Sequence, residues 1–355
     1  MLRILFLSSA ASTHTSRWVN AIAAGGYEVH LLSLDLPQVH LDPAVRYHYL
    51  PFPPKWGYVA NAPWARKLIS KLKPDLVHAH YATGYGTLAA LANFHPTILS
   101  VWGSDVFDFP YQSSLHRRLL KFNLARADKI LSTSQVMAAE TSKYTGKPIA
   151  VTPFGIDLEQ FRPQMVESVF DQNDIVIGTV KTLEEKYGIE YLIRAFSFLK
   201  HRHPEKSLKL LIVGGGSQET HLRRLAKDLG VDADTAFAGR VPHAEIPRYQ
   251  NMLTISVTLS DNESFGVAVL EACACAKPVV VSNVGGLPEV VEDGVTGFVV
   301  EPRDPEQAAD AIERLLADQE LGQKMGEAGR ERVRRLYDWD ASVAQMLGIY
   351  RRMLS

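Results

Sequence analysis

Cysteine is nearly absent from this chain of 355 residues, which has only Cys273 and Cys275. Two thiols so close in sequence cannot form a disulfide framework, so a reducing cytoplasm is the expected compartment, and both read as small buried hydrophobes. Long apolar runs are also missing. None approaches the roughly 20 residues that a membrane-spanning helix needs. The opening MLRILFLSSA is basic and then apolar, like an export leader. The apolar run is short, however, and STHTSRW follows where small residues should precede a cleavage site, so it reads as a first buried strand. Disorder is excluded too, because 46% of the residues are hydrophobic and mean hydropathy is −0.06. The length exceeds one ordinary core and suits two domains.

Net charge is only −1, yet it is unevenly placed. Up to Gln160 there are 15 Lys and Arg against 10 Asp and Glu, or +5; the remainder has 23 against 29, or −6. The first half is therefore the one expected to meet something anionic.

What is present is alternation. RILFLSS, YEVHLLSL, DLVHAH, TILSVWG, KILSTS and PIAVTPF read as strands, with amphipathic stretches such as SRWVNAIAAG and SLHRRLLKFNLARA between most of them. PFGIDLEQFRPQMVESVFDQND breaks the pattern with prolines and acids and reads as a linker. A second series follows: IVIGTV, LKLLIVGGG, TAFAGRV, LTISVTLS, KPVVVSN and TGFVV. The expectation is α/β: two Rossmann-like, doubly wound domains facing across a cleft. Residues 1–160 form the first and 161–336 the second, with a final helix in 337–355 packing back on the first. Ligands of such sheets sit outside the carboxyl ends of the strands.

ESFGVAVLE sets Glu263 and Glu271 at the two ends of an otherwise apolar and small-residue run. With LTISVTLS a strand and FGVAVLEACACA a helix, Glu263 lies in the loop, Ser264 is the expected N-cap, and Glu271 lies about two turns inside. The N–H groups of Phe265, Gly266 and Val267 would seat an anionic or hydroxyl-rich ligand at the helix N-terminus. Each carboxylate suits paired hydroxyls of a ribose or hexose. The alternative is an acid that caps the helix and a second that is merely solvated or paired.

DLVHAH, SVWGSD, ADKILSTS, TPFGIDLEQFRP, IGTVKTLEEKYGIEYLI, VGGGSQETHLRRLA, FAGRVPHAEIPRYQ, ESFGVAVLE and GGLPEVVEDGVTGF follow one another along most of the chain. This succession resembles the retaining glycosyltransferases of family 4, which have the GT-B fold. The resemblance implies that Glu263 contacts donor-sugar hydroxyls, that Glu271 holds the ribose, and that the backbone of Phe265 to Val267 meets sugar and diphosphate. It implies that Lys181 and Lys186, five apart in KTLEEK, neutralise the diphosphate and the charge growing on the leaving group, an electrostatic task. The family usually has Arg at the first of these positions, and Lys lacks its bidentate fork. Arg240 and Val241 fall where the family holds its nucleotide base, and Gly214 to Gly216 read as a turn.

On the acceptor or cleft side the resemblance points to the loop SSAASTHTSRW, with Ser12, Thr13, His14 and Thr15, and to His80, Trp102 and Asp105. The paired glycines common in that loop are absent here, so Ser12, Thr13 and Thr15 are expected to offer hydroxyls instead. Trp102 stands where many members have His; it cannot exchange a proton, but it can stack on a sugar or pack at a strand end. Asp105 is expected to order its loop or bind acceptor. Phe154 replaces a common Asn. His78 and His80 lack a third ligand at metal spacing, so a structural or acceptor-side role is expected and no metal.

The implied reaction transfers a sugar from a UDP- or GDP-sugar to a glycan or lipid-linked acceptor with retention, without metal or resident cofactor. The protein would orient both substrates while the departing phosphate oxygen takes the acceptor's proton. The resemblance further implies a cytoplasmic enzyme of bacterial envelope polysaccharide or glycolipid synthesis; no nucleic-acid partner is expected. A secondary expectation is peripheral contact with the inner face of the cell membrane. WARKLISKLK sets Trp64, Leu68 and Leu72 on one face and Arg66, Lys67, Lys71 and Lys73 largely elsewhere, a pattern that sheet-covering helices also show. The competing readings are a GT-B nucleotide-sugar epimerase, a glycogen-synthase-like polymerase, and a non-enzymatic sugar-binding protein.

Overall fold

The computed structural model describes the backbone of residues 1–355 and every side chain except those of Pro54 and Lys55. Two compact units divide the chain: Met1–Pro153 with Asp340–Ser355, and Phe154–Trp339.

The first unit is built on seven strands: β1 (Arg3–Leu7), β2 (Glu28–Ser33), β3 (Val45–Tyr49), β4 (Leu76–His80), β5 (Thr97–Val101), β6 (Lys129–Ser132) and β7 (Ile149–Val151). All pair in parallel, in the order β3-β2-β1-β4-β5-β6-β7. Central strands carry apolar residues on both faces because helices cover both: Ile4, Leu5, Phe6 and Leu7 are all fully buried. β3 was not anticipated, since VRYHY buries only Val45 and has no apolar run. An edge strand needs little burial, so the pattern left no signal. The final helix, Trp339–Leu354, places Tyr350 in this unit's core, where its hydroxyl meets Nδ1 of His78 at 2.6 Å.

The second unit has six parallel strands: β8 (Ile175–Val180), β9 (Leu208–Val213), β10 (Thr235–Gly239), β11 (Ile255–Thr258), β12 (Val279–Ser282) and β13 (Gly297–Val300). Their order is β10-β9-β8-β11-β12-β13. In both sheets the order reverses beside the first strand, between β1 and β4 and between β8 and β11. That is where a crevice opens at the carboxyl edge of a doubly wound sheet.

The stretch read as a linker is irregular but anchored. Prolines and acids keep it out of helix and strand, yet Phe154, Ile156 and Phe161 are buried in the second unit. Ile156 donates its N–H to Tyr337 O at 2.7 Å and accepts from Trp339 N–H at 3.1 Å. Apolar side chains spaced along it hold the chain down where no periodicity would show it.

Candidate active site

The loops at the carboxyl edge of the second sheet are sewn to one another by backbone bonds. After β8, Lys181 N–H reaches Val213 O at 2.8 Å; after β9, Gly214 N–H reaches Gly239 O at 2.9 Å. Lys186 O accepts from Asp261 N–H at 2.9 Å and Asn262 N–H at 3.3 Å, tying the loop after β8 to the one after β11. Gly286 N–H reaches Glu263 O at 2.9 Å, adding the loop after β12. Gly285 has φ +50, and a Cβ there would collide with Glu263 O, so only glycine lets these two loops close.

This stitching brings the sequence-predicted residues together. Lys181 Nζ pairs with Glu263 Oε2, and the two side chains are only 12% and 10% exposed. The Lys181 ammonium stands 4.3 Å from the centroid of the Tyr187 ring, and that of exposed Lys186 stands 5.1 Å from the same ring. Two cations spaced five apart therefore converge on one aromatic ring. Exposed Arg240 lies near Gly215, and half-buried Val241 packs against the cluster of Val176, Leu211 and Val213.

Glu271 is 5% exposed on the helix Val267–Ala274. His243 Nε2 stands 3.5 Å from its Oε1, and the His243 ring lies edge-on to Phe161 at 5.9 Å. The sequence reading missed His243 and Tyr187. Their signals were adjacency alone: Tyr187 follows Lys186, and His243 follows Arg240 by three.

One expectation is corrected. Ser264 does not cap the helix. Gly266, with φ +108, occupies the N-cap position without a side-chain bond, and Val269 and Leu270 N–H both reach Gly266 O at 3.1 Å. The positive φ swings the chain into the helix two residues later than a serine cap would. Phe265 is buried, with Phe154 and Tyr337 edge-on at 6.1 and 5.7 Å. Phe154, at the position of the family's Asn, thus works as a packing residue beneath the loop.

In the first unit Ser12 is the N-cap of Thr13–Ala24 and accepts from Thr15 N–H at 3.4 Å. Thr15 was expected to offer its hydroxyl outward. Instead it is fully buried and spends that hydroxyl on Ser8 at 2.7 Å, because the helix turns it toward the sheet. Ser8 Oγ also meets His80 Nδ1 at 3.1 Å. The His80 ring lies 4.2 Å from half-buried Trp102, which has His14 at 6.0 Å on its edge; Thr13 is half-buried nearby in sequence. Burial holds His80 neutral, well below the ordinary imidazole range, and depresses His78 to about 3. Both ring nitrogens of His78 are engaged, by Tyr350 and by Ser100 Oγ at 2.8 Å.

Asp105 is fully buried, and its carboxylate accepts Ala82 N–H and Gly103 N–H, each at 2.7 Å, and Trp102 N–H at 3.2 Å. It orders the loop that carries Trp102. Burial pushes its pKa up against the pull of these amides. Cys273 and Cys275 are buried, and burial raises both thiols to about 12, so they are inert packing groups. Among the described residues, no group of three or more His, Cys, Asp or Glu could hold a metal ion, and no helix is long and apolar enough to cross a membrane.

Two family models match this chain: Glycosyl transferases group 1 over residues 160–332, and Glycosyl transferase 4-like over residues 3–134. D-inositol 3-phosphate glycosyltransferase of Corynebacterium jeikeium is 30% identical, over 78% of this chain and 72% of that protein. N-acetyl-alpha-D-glucosaminyl L-malate synthase of Bacillus anthracis is 28% identical, over 93% of this chain and 90% of that protein. Among solved structures, sucrose-phosphate synthase from Thermosynechococcus elongatus superposes with a TM-score of 0.85 at 23% identity, over 99% of both chains. Anabaena HepE in complex with UDP and glucose gives 0.79 at 18% identity, over 99% of this chain and 100% of that one. These two likenesses show the fold. The chain belongs to the group 1, family 4-like glycosyltransferases and has their two-domain GT-B fold.

Proposed function

We propose that the protein moves a hexosyl or N-acetylhexosaminyl group from a UDP- or GDP-sugar to a glycan or lipid-linked acceptor, with retention of configuration. The observation that carries this reading is the convergence of Lys181, Lys186 and Glu263 at the carboxyl edge of the second sheet, with nearly buried Glu271 on the helix that follows the Glu263 loop. Two ammonium groups there suit a diphosphate and the charge that grows on it as the glycosidic bond breaks. A nearly buried carboxylate whose neighbour is one imidazole at 3.5 Å retains acceptor capacity for a ribose diol.

In this reading Lys181 and Lys186 stabilise the leaving diphosphate. Glu263, held by Lys181 and by Gly286 N–H, orients sugar hydroxyls. The amides of Phe265 to Val267 add donors at the start of the helix, and Arg240 and Val241 border the base. Ser12, Thr13, His14, His80 and Trp102 belong to the acceptor side, with Trp102 offering a stacking face backed by His80. The phosphate oxygen that leaves the sugar takes the acceptor's proton, so the protein needs neither a metal nor a covalent nucleophile. Relatives named for inositol phosphate and malate glycosides support small hydroxylated acceptors as strongly as envelope glycans. A lipid-linked acceptor in the bacterial envelope would place the enzyme at the inner face of the cell membrane.

The test is product stereochemistry. With the donor and acceptor found by screening, NMR of the new linkage should show the donor's own anomeric configuration. Inversion would contradict the reading, and an acceptor-independent change in the donor sugar would favour the epimerase.

A further inference from the structure

Helix Pro54–Ala60 is seated by its inner side and leaves its outer side bare. Tyr58 lies over Gly84, where any Cβ would strike its ring, and meets Tyr85 edge-on at 5.2 Å. At the helix's end Asn61, fully buried, clamps the backbone of Phe52: its Nδ2 donates to Phe52 O at 3.0 Å and its Oδ1 accepts from Phe52 N–H at 3.3 Å. With Tyr58 and Asn61 fixed inward, Trp56 and Val59 must point outward. They are 74% and 60% exposed, beside Phe52 at 44% and Tyr49 at 54%.

The next helix is Ala62–Leu72. Its buried face is Ala62, Ala65 and Ile69, whereas Trp64 is 51% exposed, with Lys67 Nζ 5.8 Å from its ring. Five large apolar or aromatic residues between positions 49 and 64 therefore face solvent. That is far more than scattered surface hydrophobics account for.

Basic residues predominate around them; Asp35, an acid near Tyr58, is engaged by Ser9 Oγ at 2.6 Å and Tyr85 Oη at 3.2 Å. Between Asp42 and Asp75 the chain has no acidic residue and six basic ones. Arg66, Lys67, Lys71 and Lys73 are all exposed. A second basic stretch joins them across the fold: Arg66 donates to Leu91 O at 3.0 Å and Arg126 to Asn93 Oδ1 at 3.1 Å, at the two sides of the end of helix Gly84–Ala92. Arg126 closes the helix Ser114–Arg126, which carries Arg117, Arg118 and Lys121 and exposes Leu115 and Phe122. The bordering acids are engaged, Asp75 by Arg3 N–H at 2.6 Å and Asp128 by Thr97 N–H at 2.7 Å.

We infer that this face of the first unit docks on an anionic lipid bilayer, with Trp56, Val59, Phe52 and Trp64 entering the interface and the Lys and Arg side chains meeting lipid phosphates. Tryptophan and basic side chains are the residues that interfacial binding selects. Phe52 and Trp56 follow the carboxyl end of β3, so docking sets the acceptor edge of this unit against the membrane surface. The inference deepens the lipid-linked acceptor reading and rests on it for its purpose, though not for its geometry.

The experiment is co-sedimentation of the full chain with vesicles of phosphatidylcholine alone and with phosphatidylglycerol added. The wild type should bind only the anionic vesicles, with a blue shift in tryptophan emission, and added salt should release it. Trp56→Ser with Val59→Ser should lose binding by at least about tenfold, and Lys67→Glu with Lys71→Glu by a similar factor. Thermal melting and UDP titration should stay unchanged in both. Wild-type protein left in solution by anionic vesicles would overturn the inference while leaving a UDP-binding enzyme intact. So would a dimer that Trp56→Ser with Val59→Ser converts to monomer without any vesicle binding, since a second copy would then be the occupant. Failure of UDP binding in the wild type would instead strike the functional reading.

Discussion

His243 and Glu271 stand 3.5 Å apart, imidazole Nε2 to carboxylate Oε1, with the carboxylate side chain 7% exposed and the imidazole 37%. Glu271 comes from the helix after β11 and His243 from the turn after β10. The pairing thus aims a nearly buried acid from a covered helix toward the strand ends. Glu271→Ala should weaken nucleotide binding by roughly 10- to 100-fold, the range for hydrogen bonds to a charged group. His243→Ala should weaken it less, and His243→Gln should restore part of the loss by supplying a donor. Titration with UDP against 2′-deoxy-UDP checks this. If Glu271 holds a ribose diol, the preference for the ribonucleotide disappears in Glu271→Ala.

The Lys181–Glu263 pair makes removal of one partner worse than removal of both. Lys181→Ala strands a carboxylate that is 10% exposed, which costs about 3–5 kcal/mol when a buried pair is broken. Lys181→Ala with Glu263→Ala should recover part of that stability. Activity should not recover: kcat should remain lower by about 10²–10³, as expected when a preorganised charge is lost. Chemical denaturation and steady-state kinetics on the three variants separate the two effects.

Gly285 tests whether loop closure positions Glu263. Gly285→Ala adds strain at φ +50 and a clash with Glu263 O, so it should cost at least about 1–2 kcal/mol. It should also lower kcat/KM although no functional side chain has changed. A melting temperature and kcat/KM equal to wild type would show that the two loops are not coupled.

Burial of His78 makes the first unit sensitive to acid. Its folded-state pKa is about 3 against 6.5 for an ordinary imidazole, so below pH 6.5 the unfolded chain binds the proton and the folded chain does not. Stability is therefore full above about pH 6.5 and is lost as pH falls toward about 3, by at most about 4–5 kcal/mol. His80, depressed by the same cause, acts in the same direction. Denaturation midpoints between pH 7 and about pH 4, a range covering most of the effect, should fall steeply for wild type and less steeply for His78→Asn. Equal slopes would contradict this.

Much of the fold was legible because a parallel sheet covered on both faces writes itself as near-continuous apolar runs, as in RILFL and LKLLIV. Edge strand β3 and helix Pro54–Ala60 were not, since each buries too little to impose a period. Lys181, Lys186, Glu263 and Glu271 were singled out by the resemblance of their motifs to the glycosyltransferase pattern, since their spacing alone leaves a structural role open. The partners that define their surroundings, Tyr187 and His243, were not, because loop-to-loop contact leaves no periodic trace. Spacing groups Trp64 with Leu68 and Leu72, yet Leu68 and Leu72 pack partly against the core while Trp64 is exposed. Three small or branched residues, Ala62, Ala65 and Ile69, fit the covered side, and the larger ring stays outside.

The most direct measurement is a calorimetric donor panel, with UDP, GDP and several of their sugars titrated into wild type, Glu271→Ala and Lys186→Ala. One nucleotide sugar should bind wild type at about micromolar strength, near −8 kcal/mol, and both substitutions should abolish or greatly weaken that binding. Equal binding in all three proteins, or no binding of any nucleotide to wild type, would contradict the assignment of Glu271 and Lys186 to the donor.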